Sequence, residues 1–230
     1  MRNTDLEDLL LEAMTRRQCP ICGVLDALVF DELCQLQLHA VTDAETHAAV
    51  VARGGYCAEH FWYLVELASP VTNARLLAPL IDRVAERATA CANAVAIDAA
   101  LPRQGAVEIA TRLGVPANCL VCEHVAAWET AAIEALRAIV GDPARWPAYA
   151  NSDGACLPHL SRLVVMSHAP ALARALLQVA ANQAAQLADD LRVYVRKHES
   201  LDRRRGPEDG SPSCTVQKLV GARRRALRNH

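Results

Sequence analysis

Four pairs of thiol and imidazole residues recur in a fixed order along the chain: Cys19 and Cys22, Cys57 and His60, Cys119 and Cys122, Cys156 and His159. Each pair is spaced i, i+3, and the order reads CxxC, CxxH, CxxC, CxxH. CPIC at 19–22 returns as CLVC at 119–122, a shift of 100 residues. GGYCAEH at 54–60 returns as DGACLPH at 153–159, a shift of 99. The flanks agree too: Leu64 matches Leu163, Val65 matches Val164, and Ala74-Arg75 matches Ala173-Arg174. Matching order and matching flanks together argue against coincidence in an alanine-rich chain. They mark an internal repeat.

The rest of the sequence favours helices. Of 230 residues, 52 % are apolar but only 4 % aromatic, so a core can be buried without strand-forming side chains. Apolar spacing and breakers predict helices over about 24–39, 43–52, 57–68 and 72–100, then 105–113, 123–140, 143–149, 156–167 and 170–198. Thr4 with Glu7, and Thr42 with Glu45, read as capping boxes. Gly54-Gly55 ends the helix that starts near 43. Leu76, Leu77, Leu80, Ile81 and Val84 form an apolar stripe on the long helix. The expected fold is all-α: two similar helical units, 1–102 and 103–198, each built around a Cys3His metal site. A flexible basic tail, 199–230, rich in charge with Pro, Gly and Ser, follows them.

A cysteine pair at i, i+3 on a tight turn can place both sulfurs on one ion. Pro20 fixes a backbone angle there and Gly23 lets the turn close. Cys57 and His60 fit the opening turn of a helix, where the dipole favours a thiolate. The consecutive reading joins Cys19, Cys22, Cys57 and His60 in one tetrahedral set. Cys119, Cys122, Cys156 and His159 form the other. Gaps of 34 and 33 residues separate the two pairs of each set, beyond the ~12–20 of common fingers, so the fold must bring them together. The second CxxC lacks the proline and glycine of the first. The knuckle form and the helix-start pair favour zinc, two per chain, over two iron–sulfur clusters. Zinc in such a site contributes on the order of 10 kcal/mol to folding.

Other chemistries fit less well. A thioredoxin-type CxxC needs a preceding strand, and redox pairs do not explain CxxH. A c-type haem needs CxxCH, and Glu123 separates Cys122 from His124. Cys-Ala-Glu at 57–59 lacks the following PCxxC of a zinc deaminase, so Glu59 reads as a helix-start carboxylate. No Ser/His/Asp order, phosphate loop or carboxylate pair supports catalysis. Cys34 and Cys91 read as small buried groups and Cys214 as a tail thiol; His39, His47, His124 and His168 fall outside any pattern. Trp62, Trp128 and Trp146 read as core anchors.

Nine cysteines, an odd number, do not suit a disulfide framework and point to a reducing cytoplasm. The start of the chain is acidic and lacks the basic and apolar regions of a secretory signal. No run reaches the ~18 apolar residues of a membrane span. The net charge of −2 hides an asymmetry: residues 196–230 hold ten Lys/Arg and four Asp/Glu, while the rest of the chain is acidic. Arg203–Arg205 and Arg223–Arg225 offer the one place for nucleic acid, but no aromatics interleave them. The expected partner is another protein, met by a metal-binding helical body in an interaction or regulatory role. The alternative is a two-cluster electron carrier.

The doubled layout of CPIC, GGYCAEH, CLVC and GACLPH resembles a bacterial family of helical proteins, a domain of unknown function. The likeness covers residues 1 to about 198 and excludes the tail. It implies this architecture and no particular activity.

Overall fold

The computed structural model describes residues 3–95, 103–113 and 119–199. Among them are ten helices and no strand: α1 (Asn3–Met14), α2 (Pro20–Thr42), α3 (Ala44–Ala52), α4 (Ala58–Leu67), α5 (Pro70–Ala94), α6 (Arg103–Leu113), α7 (Leu120–Gly141), α8 (Trp146–Ala150), α9 (Leu157–Ser167) and α10 (Pro170–Glu199). The all-α expectation holds for these residues. The expected tail, from 200 on, lies outside them, as do Cys214 and both arginine runs.

Local chemistry sets the helix ends. Pro20, Pro70 and Pro170 each open a helix, where a missing N–H costs nothing and the fixed φ is already helical. Ser69 caps α5, its hydroxyl accepting from the Thr72 amide at 3.1 Å. Asp43, and not Thr42, caps α3. Its carboxylate accepts from the amides of Glu45 (3.1 Å) and Thr46 (3.2 Å), while Thr42 closes α2 by donating to the Leu38 carbonyl at 2.9 Å. A carboxylate that reaches two orphan amides displaces a hydroxyl that reaches one. The Thr46 hydroxyl first, then those amides, hold the Asp43 carboxyl below its usual range.

Two further residues shape the approach to Cys57. At the end of α3 the Gly54 amide donates to Val51 and the Gly55 amide to Val50, both at 3.0 Å, with φ of +81° and +89°. This is a Schellman closure, and glycine allows its left-handed backbone. Inside α5, Pro79 cannot donate to the Arg75 carbonyl four residues back. His47 of α3 supplies the missing donor, its Nε2 lying 3.3 Å from that oxygen.

The described residues form two compact units, and these are not the consecutive halves 1–102 and 103–198. One unit takes the chain up to Leu28 and resumes at Ala126. Its core gathers Leu10, Ile21, Ile133, Leu136, Leu163 and Leu176, all fully buried. The other runs from Val29 to Val125 and buries Leu33, Val50, Leu64, Leu76 and Cys91. The unit boundaries fall inside α2 and α7, so both helices serve both units. The stripe expected on α5 is narrower than its sequence suggests. Leu76 and Leu80 are buried, but Ile81 and Val84 are exposed. Trp128 and Trp146 pack against the first core, whereas Trp62 is 65 % exposed and anchors no core.

Candidate metal centres

All eight singled-out residues stand at helix starts. Cys19, Cys57, Cys119 and Cys156 each precede a helix, and each carbonyl accepts its first hydrogen bond. The donors are the amides of Gly23 (3.0 Å), Phe61 (2.9 Å), Glu123 (3.2 Å) and Leu160 (2.8 Å). Cys57 and Cys156 share nearly the same backbone, φ/ψ −67°/164° and −66°/162°, and neither sulfur caps its own helix. The second member of each pair, Cys22, His60, Cys122 or His159, sits three residues on, in the opening turn. The CxxC segments are therefore helix starts like the CxxH segments and not separate knuckles. Pro20 occupies the favoured first helical position, which Leu120 fills without loss of geometry. Gly23 is helical, and its missing Cβ leaves room for the Gln18 side chain.

The pairs meet across the repeat. Cys19, Cys22, Cys156 and His159 form the first centre; Cys57, His60, Cys119 and Cys122 form the second. The structure gathers these eight residues into two groups, and the grouping is exchanged and not the consecutive one expected. The reason is the length of α2. At about 1.5 Å per residue the 20 residues of α2 beyond Cys22 carry the chain about 30 Å onward, and the nine residues of α3 span only about 13 Å. Cys57 joins a different group from Cys22. α7, with 22 residues, carries the chain onward after Cys122 in the same way.

In each centre the four ligand atoms lie within 4.8 Å of one another. In the first, His159 Nδ1 is 3.4 Å from Cys19 Sγ, 3.5 Å from Cys22 Sγ and 3.2 Å from Cys156 Sγ. Cys22 Sγ and Cys156 Sγ are 3.9 Å apart. In the second, His60 Nδ1 is 3.1 Å from Cys57 Sγ and 3.4 Å from both Cys119 Sγ and Cys122 Sγ. Cys57 Sγ and Cys122 Sγ are 3.6 Å apart. A tetrahedral ion with sulfur at about 2.3 Å and nitrogen at about 2.0–2.1 Å sets its ligands about 3.5–3.8 Å apart. The geometry of both sets suits one ion each, which three sulfurs and one Nδ1 would hold.

The surroundings ask for a cation. Hydrogen bonds from Cys156 and Cys22, aided by His159, hold the Cys19 thiol well below its ordinary range against the effect of burial. Burial opposes charge on His159, but Cys156 and Cys19 overcome it and raise the imidazole to about 10. Burial, then Cys57 and Cys119, pushes Cys122 up to about 12.

The two centres differ in cover. All four residues of the first are buried, whereas Cys57 and Cys122 of the second are only partly so. His159 also has an outer partner that its sequence neighbourhood did not reveal. Its Nε2 lies 3.1 Å from Glu129 of α7, and Arg162 pairs with the same carboxylate at 2.5 Å. This orients Nδ1 toward the sulfurs. Under the 100-residue shift the position matching Glu129 holds Val29. The segment leading to Cys156 is also pinned: the Ala155 amide donates to the Tyr149 hydroxyl (3.3 Å), the Gly154 amide to Ser152 Oγ (3.0 Å), and Gln183 to the Ser152 carbonyl (2.6 Å). Burial raises the Tyr149 phenol to about 12, with Cys19 and Cys156 adding to it. His124 belongs to neither set. Its Nδ1 lies 2.9 Å from Glu32.

Residues 6–206 match the family model described as a family of unknown function, DUF6062. No curated protein and no solved structure matches the chain.

Proposed function

The chain belongs to the DUF6062 family, and because that membership brings no activity, we propose its function from the two centres: a zinc protein whose two Cys3His sites are structural. Each closed set leaves no open position for substrate, which is the mark of a structural site. One observation carries the reading. Four ligand atoms within 4.8 Å of one another suit a single ion. A two- or four-iron cluster would interpose iron and sulfide and spread its outer ligands further.

Each ion would clamp two helix starts from distant parts of the sequence. In the first centre these are α2 and α9, in the second α4 and α7. We read the doubled order of the pairs as an internal repeat whose halves exchange partners. The described cysteines form no disulfide with one another, in keeping with a reducing cytoplasm. No helix among the described residues is long and apolar enough to cross a membrane.

The body then acts through its surface on another protein. Trp62, 65 % exposed on α4, supports this, since tryptophan is enriched at the centres of interfaces. Trp62→Ala is expected to leave thermal stability and metal content unchanged. A large loss of either would make Trp62 a folding residue.

Metal analysis with a visible spectrum tests the reading. Zinc at two per chain in a colourless protein supports it. Iron with acid-labile sulfide and a brown colour overturns it in favour of an electron carrier.

A further inference from the structure

Cys57 and Cys122 are the two partly exposed residues of the second centre, while His60 and Cys119 are buried. The two open sulfurs lie 3.6 Å apart, across 65 residues of sequence. Cys57 Sγ accepts no amide of α4, so turning it breaks no cap. A disulfide holds its sulfurs at about 2.05 Å, a closure of about 1.5 Å that rotation about the Cα–Cβ bonds can supply.

The first centre contrasts in each respect. Its four residues are all buried, its Cys22 and Cys156 sulfurs are 3.9 Å apart, and His159 is held from outside by Glu129. Oxidation of cysteine follows exposure and thiolate character. An ion bound by sulfur keeps that sulfur deprotonated, and the thiolate is the form that attacks an oxidant. With an ion in place, the second centre therefore presents two neighbouring thiolates that solvent can reach.

We propose that Cys57 and Cys122 are an oxidation site, which hydrogen peroxide converts to a disulfide as the second centre gives up its ion. One thiolate attacks a peroxide oxygen, becomes a sulfenic acid and releases hydroxide. The other thiolate attacks that sulfur and expels a second hydroxide. Two thiolates and one hydrogen peroxide thus give one disulfide and two hydroxide ions, and the sulfurs lose the two electrons that the peroxide gains. Only Cys119 and His60 are then left to the ion, too few to keep it. The new bond joins the start of α4 to the start of α7, the same two elements that the ion would clamp. The unit keeps its join while it loses its cation. The inference rests on the structural-zinc reading in one respect, that the bound ion holds both sulfurs deprotonated.

The metal-loaded full chain is first assayed for zinc, then treated with hydrogen peroxide while a chromophoric indicator records release. It is finally alkylated and mapped without reduction. Expected are one equivalent released at least about tenfold faster than the other, and a peptide that links Cys57 to Cys122. A thiol reductant should restore the lost equivalent. Cys34→Ser combined with Cys214→Ser should change neither result, since those thiols take no part. Fewer than two zinc equivalents before oxidation would count against the structural-zinc reading, and the peptide map still decides the oxidation site. A Cys119–Cys122 link in its place, or no linked peptide, overturns the proposal. So does a link that leaves both equivalents bound or loses both at one rate. Release that disappears in the Cys34→Ser, Cys214→Ser variant overturns it too, by placing the reactive thiol outside the centre.

Discussion

Cys22 Sγ and Cys156 Sγ lie 3.9 Å apart across 134 residues of sequence. Neither residue's repeat neighbours announce the other, yet the contact defines the first centre. It joins the start of α2 to the start of α9, and the second centre joins α7 to α4 in the same manner. Helix starts suit this work twice over. The opening turn places residues three apart on one side, and its unpaired amides favour negative sulfur.

Cover predicts kinetics. Cys57 and Cys122 are partly exposed, whereas the first centre is buried throughout. A chelator should therefore remove one metal equivalent well before the other. An alkylating reagent followed by peptide mapping should label Cys57 and Cys122 ahead of Cys19, Cys22 and Cys156. Simultaneous release with uniform labelling would show that cover does not govern access.

Glu129 gives the first centre an outer partner. Glu129→Ala should weaken metal binding there about 10–100-fold, the usual effect of removing a group that orients a metal-bound histidine. Competition against a chromophoric chelator resolves the two centres. The second should be unaffected, and an unchanged first centre would reduce Glu129 to a surface contact with Arg162.

Metal uptake should release protons. With His159 raised to about 10 and Cys122 to about 12, both hold their protons at neutral pH in the metal-free protein. A cation must displace them, so affinity rises with pH and falls in acid. Zinc added to metal-free protein in weak buffer should acidify the solution. No proton release would mean that the ligands are already deprotonated.

Gly55 and Gly154 adopt φ of +89° and +63°, and a Cβ at either would press on Phe61 or Gln183. Gly154→Ala should therefore lower stability by about 1–2 kcal/mol, the penalty of a left-handed alanine, before any clash is added. Thermal melts of the metal-loaded protein check this. An unchanged melting temperature would show that the turn before Cys156 relaxes freely.

The helices and the eight candidate metal-holding residues were legible in the sequence because both are local. Apolar spacing, prolines at helix starts and Gly54-Gly55 act within a few residues, and CxxC or CxxH declares itself in four. The pairing was hidden because it depends on how far α2 and α7 run before they stop. Order along the chain suggests consecutive sets, and nothing within a few residues of Cys22 or Cys57 signals otherwise. Glu129 stayed hidden because its partner lies 30 residues away. Trp62 misled because a large aromatic beside a ligand pair looks like core.

The exchanged pairing is the centre of the account, and metal stoichiometry in two double variants tests it most directly. Cys22→Ser with Cys156→Ser strikes one centre and should cost one equivalent; Cys22→Ser with Cys57→Ser strikes both and should cost two. The reverse, two equivalents lost in the first variant and one in the second, would restore the consecutive pairing and contradict the structure described.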